Sequence, residues 1–468
     1  MAHAGNTLNM TKGPLFKEVL LYSYPLILSG LLQLCFNAAD MVVVGRFASA
    51  YSMGAVGATG SFCNLIITIF LGLSVGANVL VANRFGAGDR KGMSRAAHTA
   101  VLVSFIGGVA LTIVGLLISR PVLRLIAVPD DVIDLSALYM KVFCLGIPFN
   151  LAYNFGAAIL RAVGDTRRPL YYLTAAGVVN VLLNLLFVIV FKMDVAGVAL
   201  ATVASQGISA VLVLRALALS HDACRLRLKL LRINGEMLRE LVRIGLPAGL
   251  QSSMFSLANI IIQSGVNSFG ALPLAGNTAA SNIEGFVYVS TNAYYHAVTS
   301  IVGQNFGARK YGRIVKSFLY CVGLAIGLNI VLGAVVVGFA PQFVAFYNSD
   351  PVVIANGVSR LRFLAFAYIL CSLMDVITGA LRGVGHSIYP AVVTLGGACG
   401  LRVIWVLFVF PLHRTLPFLL FCFPLSWIVV SLVNGTHLWR VFAEMKATHM
   451  GKRAGGRGLP PGKEGTLR

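Results

Sequence analysis

Leu160-Arg161-Ala162-Val163-Gly164 returns as Leu381-Arg382-Gly383-Val384-Gly385, 221 positions later. Phe85-Gly86-Ala87 returns as Phe306-Gly307-Ala308 at the same offset. Pro25 and Pro247, Asn37 and Asn259, and Phe47 and Phe269 match at 222, one insertion away. Separate matches at one spacing predict an internal duplication. They divide the chain into an N-lobe over 1–218 and a C-lobe over 237–445. A basic linker over 219–236 joins the lobes, and a basic, Gly- and Pro-rich tail over 446–468 is expected to be disordered.

Between these motifs the sequence runs in long apolar blocks. Of 468 residues, 57% are hydrophobic and 11% charged, with a mean hydropathy of +0.83, whereas a soluble domain carries about 25% charge. This excludes a soluble enzyme, a coiled coil and a disordered chain. Spans are expected near 19–44, 54–83, 99–119, 137–160, 171–191, 195–218, 244–268, 275–305, 318–340, 358–380, 390–412 and 418–440. A helix needs about 20 apolar residues to cross a bilayer, and the alternating pattern of a membrane β-barrel is absent. The expected fold is an all-α polytopic membrane protein with twelve transmembrane helices in two pseudo-symmetric six-helix lobes. An even number of spans per lobe starts both on the same side. The repeats are then parallel, an arrangement used by transporters that bind between lobes and rock.

The net charge of +21 reads as topology rather than nucleic-acid binding, because the cations sit between apolar blocks. With the N-terminus inside, 28 Lys and Arg fall on inner segments and 8 on outer ones, Arg360 and Arg362 among the latter. That bias places both termini in the cytoplasm and suggests a bacterial cytoplasmic membrane. The eight cysteines form no CxxC pair and read as small core residues. Enzyme motifs of the HExxH, GxSxG and Walker types are missing, and no filter loop suggests a channel. No enzyme activity is expected.

Three acids fall inside spans: Asp40, Glu284 and Asp375. A carboxylate in hydrocarbon costs about 2.5–3.5 kcal/mol on insertion scales, so such a group usually faces a cavity where it takes a cation or a proton. Gln33, Asn37 and Asp40 share one helix face at i, i+4 and i+7. Asn180 and Asn184 share another, as do Thr202 and Gln206. Carboxylate, amide and hydroxyl oxygens suit Na⁺ or a protonated carboxyl. Glu284 lies at a bend-like Asn282-Ile283-Glu284-Gly285 with Tyr288 one turn on, an acid-and-aromatic pairing that suits a large organic cation. Arg402, the one base deep in a span, is expected to pair with an acid such as Asp375 or with backbone carbonyls.

These residues resemble the multidrug and toxic compound extrusion (MATE) transporters along nearly the whole chain. The resemblance rests on Pro25, the run Asp40-Met41-Val42-Val43-Val44-Gly45-Arg46, the loop Gln304-Asn305-Phe306-Gly307-Ala308 with its partner at Gly86, and the two Leu-Arg-x-Val-Gly motifs. It implies an antiporter that exports drug-like organic cations in exchange for H⁺ or Na⁺ by alternating access. It further implies a coupling site at Asp40, Asn180, Asn184 and Thr202, with possible Na⁺ at Asp40, Asn180 and Asn184. Some relatives carry an acid where this chain has Asn184, which leaves H⁺ and Na⁺ both open. Gln33, Asn37, Glu284, Tyr288 and Asp375 are expected to bind substrate. Partners are then organic cations, the coupling cation and membrane lipids, for a monomer without cofactor or nucleic acid. A lipid-linked precursor flippase of the same superfamily is the alternative.

Overall fold

A computed structural model describes residues 8–47, 50–125, 130–220 and 222–454. The side chains of 41, 44–46, 50–58, 60–66, 125, 130–131 and 448–454 lie outside that description, among them Arg46 of the Asp40–Arg46 run. The chain is helical throughout, with no strand among the described residues. Among the described residues the long helices are α1 (Leu15–Phe47), α2 (Ala50–Gly86), α3 (Arg90–Leu125), α4 (Asp130–Ala162), α5 (Arg167–Val190), α6 (Asp194–Ala218), α7 (Gly235–Asn267), α8 (Ala271–Gly307), α9 (Tyr311–Gly338), α10 (Pro351–Leu364 continued by Tyr368–Gly383), α11 (Ile388–Leu412) and α12 (Leu416–Ala447), twelve in all, with a short helix over Ala340–Ala345.

Nine of them are long and apolar enough to cross a membrane, and ten if the broken α10 counts as one span. The other two, α7 and α8, are 33 and 37 residues long but bury polar side chains such as Gln251, Asn277 and Glu284, as interior helices do.

Three expectations are corrected. α8 runs as one helix through Glu284, with no break at 282–285. The tenth span is instead two helices meeting at 48°. The tail is helical as far as Ala454, and 455–468 lie outside the described residues.

The repeated motifs are helix ends. At the end of α4, Gly164 takes φ +91, its N–H donates to the Arg161 carbonyl (2.9 Å), and the Asp165 N–H donates to the Leu160 carbonyl (2.9 Å). At the end of α10, Gly385 takes φ +89, with Gly385 N–H to Arg382 (2.8 Å) and His386 N–H to Leu381 (2.9 Å). Both are Schellman caps, in which the residue after the helix must enter the left-handed region that glycine reaches without strain.

Loops 87–89, 163–166, 219–234, 308–310 and 384–387 gather at one end of the bundle, here called the basic end. The two lobes meet there backbone to backbone. A methyl group at Gly86 would overlap the Gln304 carbonyl, and one at Gly307 the Asn83 carbonyl, an exchange symmetric between the repeats. Deeper along the seam, Gly72 and Gly76 of α2 face Gly245 and Gly249 of α7.

The cores interlock across this seam. Val19, Tyr22 and Leu26 of α1 are buried in the C-lobe core with Ala293, Ala297 and Ile301. Met237 and Leu241 of α7 are buried in the N-lobe core with Leu73, Ala77 and Leu80. Each lobe therefore lends the first half of its first helix to the other.

Candidate functional site

Asp40 ends the apolar span of α1, remote from the basic end. It is half-buried, and the Asn184 Nδ2–H donates to its Oδ1 at 2.6 Å. Asn184 is fully buried on α5 and also donates to Asn180 Oδ1 at 3.3 Å. Asn180 Nδ2–H in turn donates to Ser205 Oγ on α6 at 3.4 Å. One line of polar groups thus joins α1, α5 and α6 through the N-lobe. Close packing holds the helices together, since Gly177 leaves the space that Phe36 fills.

Every donor of Asn184 is engaged, but its Oδ1 is buried without a partner. A buried amide oxygen left unpaired costs about 1–3 kcal/mol. It belongs to the same amide that contacts the Asp40 carboxylate, so an incoming cation would find oxygens from both side chains.

The structure brings Asp40, Asn180 and Asn184 together. Thr202 is turned aside, its hydroxyl donating to the Val198 carbonyl at 3.0 Å. The hydroxyl in the chain is that of Ser205, one turn on and hidden from sequence reading because i+3 and i+4 positions compete for the same face. Gln33 and Asn37 are exposed on α1 without a hydrogen bond to Asp40.

The C-lobe acids divide into one that is satisfied and one that is not. Glu284, expected at an organic cation, is 2% exposed and held by Arg360, Nη2 to Oε2 at 2.7 Å and Nε to Oε1 at 2.8 Å. Arg360 also donates to Asn277 Oδ1, and Tyr368 OH donates to Glu284 Oε2 at 3.2 Å. The carboxylate has no face left for a drug. Arg360, counted with the outer segments, is buried in α10 instead. The pair joins residues 76 apart, and nothing local in sequence signals it.

Asp375 is half-buried on α10, and among the described residues no cation lies within ion-pair distance of it. Arg402 does not pair with it. That guanidinium is 3% exposed, lies 4.6 Å from the Phe423 ring centroid and 5.3 Å from that of Phe255, and donates to Ser426 Oγ at 3.0 Å. It sits between two π-helical stretches of α11, Leu395–Gly400 and Trp405–Val409. Tyr288 is 43% exposed.

The family pattern MatE matches the chain twice, over residues 25–186 and 247–407. The chain belongs to the MatE family. The two matched segments begin at Pro25 and Pro247, the duplicated prolines. Members of this family are transporters, not enzymes.

"Probable multidrug resistance protein YpnP" of Bacillus subtilis is 28% identical over 387 residues, covering 83% of this MatE chain and 86% of its own length. The corresponding NorM of Thermotoga maritima is 25% identical, covering 81% and 82%. Among solved structures, a MOP superfamily transporter from Pyrococcus furiosus superposes with a TM-score of 0.88 at 23% identity over 93% of this chain and 98% of its own. An outward-facing MATE transporter superposes at 0.87, with 24% identity over 93% and 98%. These fix the twelve-helix fold.

In this MatE chain the hydrogen bonds that cross between lobes, among the described residues, all lie in the basic half. Ser300 Oγ–H donates to Asn78 Oδ1 at 2.9 Å, Gln304 Nε2–H to the Ala162 carbonyl at 2.8 Å, and Arg84 to Glu240 at 3.1 Å. The N-terminal segment adds a clasp. Met10 N–H donates to Gln304 Oε1 at 3.1 Å, Lys310 Nζ to the Thr11 carbonyl at 2.6 Å, and Arg313 to Glu18 at 3.1 Å.

Proposed function

We propose that this chain is a secondary antiporter that exports organic, cationic, drug-like compounds in exchange for H⁺ or Na⁺. The curated relatives, named for multidrug resistance, support the cargo class. The observation that carries the coupling is the polar line Asp40–Asn184–Asn180–Ser205 with its unpartnered Asn184 oxygen.

α1 connects that line to the lobe seam. Its far half carries Asp40, and its near half is buried in the opposite lobe's core. Neutralising Asp40, by a bound cation or a proton, removes the cost of enclosing a charge in hydrocarbon and lets α1 settle against α5. That shift reaches the C-lobe through Tyr22 and Leu26. The basic end is the cytoplasmic end in this reading, because 28 of 37 Lys and Arg fall on the segments assigned to it. The bonded seam then closes the protein towards the cytoplasm. A membrane potential contributes about 2.3 kcal/mol per charge per 100 mV to net charge movement.

Asp375 and Tyr288 remain the C-lobe candidates for the organic cation; Glu284 does not. The test is efflux of a fluorescent cation from proteoliposomes under a pH gradient or a Na⁺ gradient imposed separately. Efflux should follow one gradient and vanish in Asp40→Asn. Full transport by that variant rejects the coupling site.

One observation favours anionic cargo, as in a precursor flippase. The C-lobe interior buries Arg360, Arg382 and Arg402, and of these only Arg360 has a carboxylate within ion-pair distance among the described residues. Lipid scrambling that depends on Arg402 and ignores both gradients would select that reading.

A further inference from the structure

We propose that the inter-lobe linker and the start of α3 form a binding site for the phosphate headgroup of an anionic phospholipid. Lys91 and Arg95 of α3 and Lys229 and Arg232 of the linker line one side of a cleft of about 540 Å³. All four are exposed, and among the described residues none is within ion-pair distance of a carboxylate. Of the acids near in sequence, Asp89, Glu236 and Glu240 converge on Arg84 instead, and Asp222 does not line the cleft.

The cleft is built, not incidental. His98, 2% exposed, accepts the Arg227 N–H at its Nε2 (3.0 Å) while its Nδ1 is hydrogen-bonded to the Ser94 carbonyl (2.7 Å). Thr99 Oγ1 accepts the Asn234 N–H at 3.1 Å. These bonds fix the linker backbone against α3, so the ordering cost of bringing the cations together is met before any ligand arrives.

A free phosphate would satisfy the cations alone. The apolar surroundings point to a lipid. Lys91 and Val109, like Arg95 and Ile113, are 18 residues apart, five helical turns, and so lie on one line along α3. Val109 and Ile113 are 51% and 53% exposed, in a stripe continued by Ile106 and Leu117. At about 1.5 Å per residue the exposed stripe from Ile106 to Leu117 is itself about 16 Å long, close to the hydrocarbon depth of one leaflet, about 15 Å, and it lies on the face an acyl chain leaving the cleft would follow. The linker itself alternates Arg225, Arg227 and Lys229 with Leu226, Leu228 and Leu230, and Leu228 is 88% exposed. That is the composition of an interfacial segment that dips apolar side chains below the headgroups of anionic lipid.

The test uses the purified full chain in neutral detergent and reads the thermal midpoint. Added phosphatidylglycerol should raise it by several degrees, and phosphatidylcholine or inorganic phosphate should not. The shift should fall to less than half in K91Q/R95Q/K229Q/R232Q, and persist in the basic-tail control R440Q/K446Q. In the unaltered protein it should fall likewise at about 0.5 M salt, where screening shortens to roughly 4 Å; this arm stands even if the fourfold variant does not fold. An equal shift with phosphatidylcholine, full retention in the fourfold variant, or insensitivity to salt overturns the site. A shift reproduced by inorganic phosphate alone overturns the lipid in favour of a soluble anion. Drug efflux enters none of these readouts.

Discussion

At the residue scale the two lobes treat buried charge in opposite ways. The N-lobe leaves Asp40 with one amide donor and an orphaned neighbour. The C-lobe closes Glu284 inside a guanidinium clamp. Removing one partner of a buried pair typically costs 3–5 kcal/mol, so Glu284→Gln should lower the thermal midpoint sharply and leave drug affinity in the surviving folded protein unchanged. A variant with normal stability and lost drug binding would return Glu284 to the substrate site. Asn184→Leu should shift the ion dependence of efflux without loss of folding, because Asp40 loses its donor while Asn180 keeps Ser205; unchanged dependence argues against the polar line.

What sequence could show at this scale follows from spacing. Asn180 and Asn184 are one turn apart, and their shared face was legible. Ser205 lay one turn from Thr202 and next to Gln206, two candidates that looked equally good. Arg360 looked like a topology signal because a buried cation and a loop cation are the same letter until their partner, 76 residues away, is known.

At the element scale the glycines of the seam set how closely helices approach. Gly249→Ala would drive a methyl into the Ile69 carbonyl of α2. Backbone cannot yield as a side chain does, and a cost of about 1–3 kcal/mol is expected. Gly323→Ala on α9 meets nothing within 4 Å and should gain about 0.5–1 kcal/mol through lower chain entropy. Thermal midpoints moving in opposite directions are the check; equal losses would mean that the seam is not specially tight.

The turn after α10 supplies a pH effect. His386 Nδ1 lies 3.2 Å from His437 Nε2 on α12. Burial, with Arg243 adding to it against the opposing pull of Glu444, lowers the basicity of His386 below the ordinary histidine range. Below about pH 6.5 the unfolded chain takes a proton that the folded turn resists, so stability falls with acid. The midpoint of the parent should drop between pH 7 and pH 5 by more than that of His386→Asn; identical slopes would remove His386 from the account. The motif that ends at this turn was visible in sequence because a Schellman cap demands glycine at one place. The 48° break in α10 was not, since Ala365-Phe366-Ala367 holds neither proline nor glycine; nor were the π-helical turns of α11, since Trp405–Val409 holds neither and the glycines of Leu395–Gly400 do not by themselves specify a π turn.

At the scale of the whole molecule, the duplication made the twelve-helix architecture legible, because two copies of one hydrophobic pattern repeat every boundary. The interlocking of α1 and α7 with the opposite cores was not, since an apolar face does not say which lobe it meets. The clasp at the basic end belongs to this scale as well. Arg313 holds Glu18 and the carbonyls of Met10, Lys12 and Gly13. Arg313→Ala should speed tryptic cleavage after Lys12 severalfold while the helices stay intact. An unchanged rate would mean that the segment is secured by Gln304 and Lys310 alone.

The same clasp sets a sequence of events during synthesis. Met10 and Thr11 leave the ribosome about 300 codons before Gln304, Asn305 and Lys310, which receive them. The segment therefore waits, unseated, through the insertion of seven helices and most of an eighth before its partners exist.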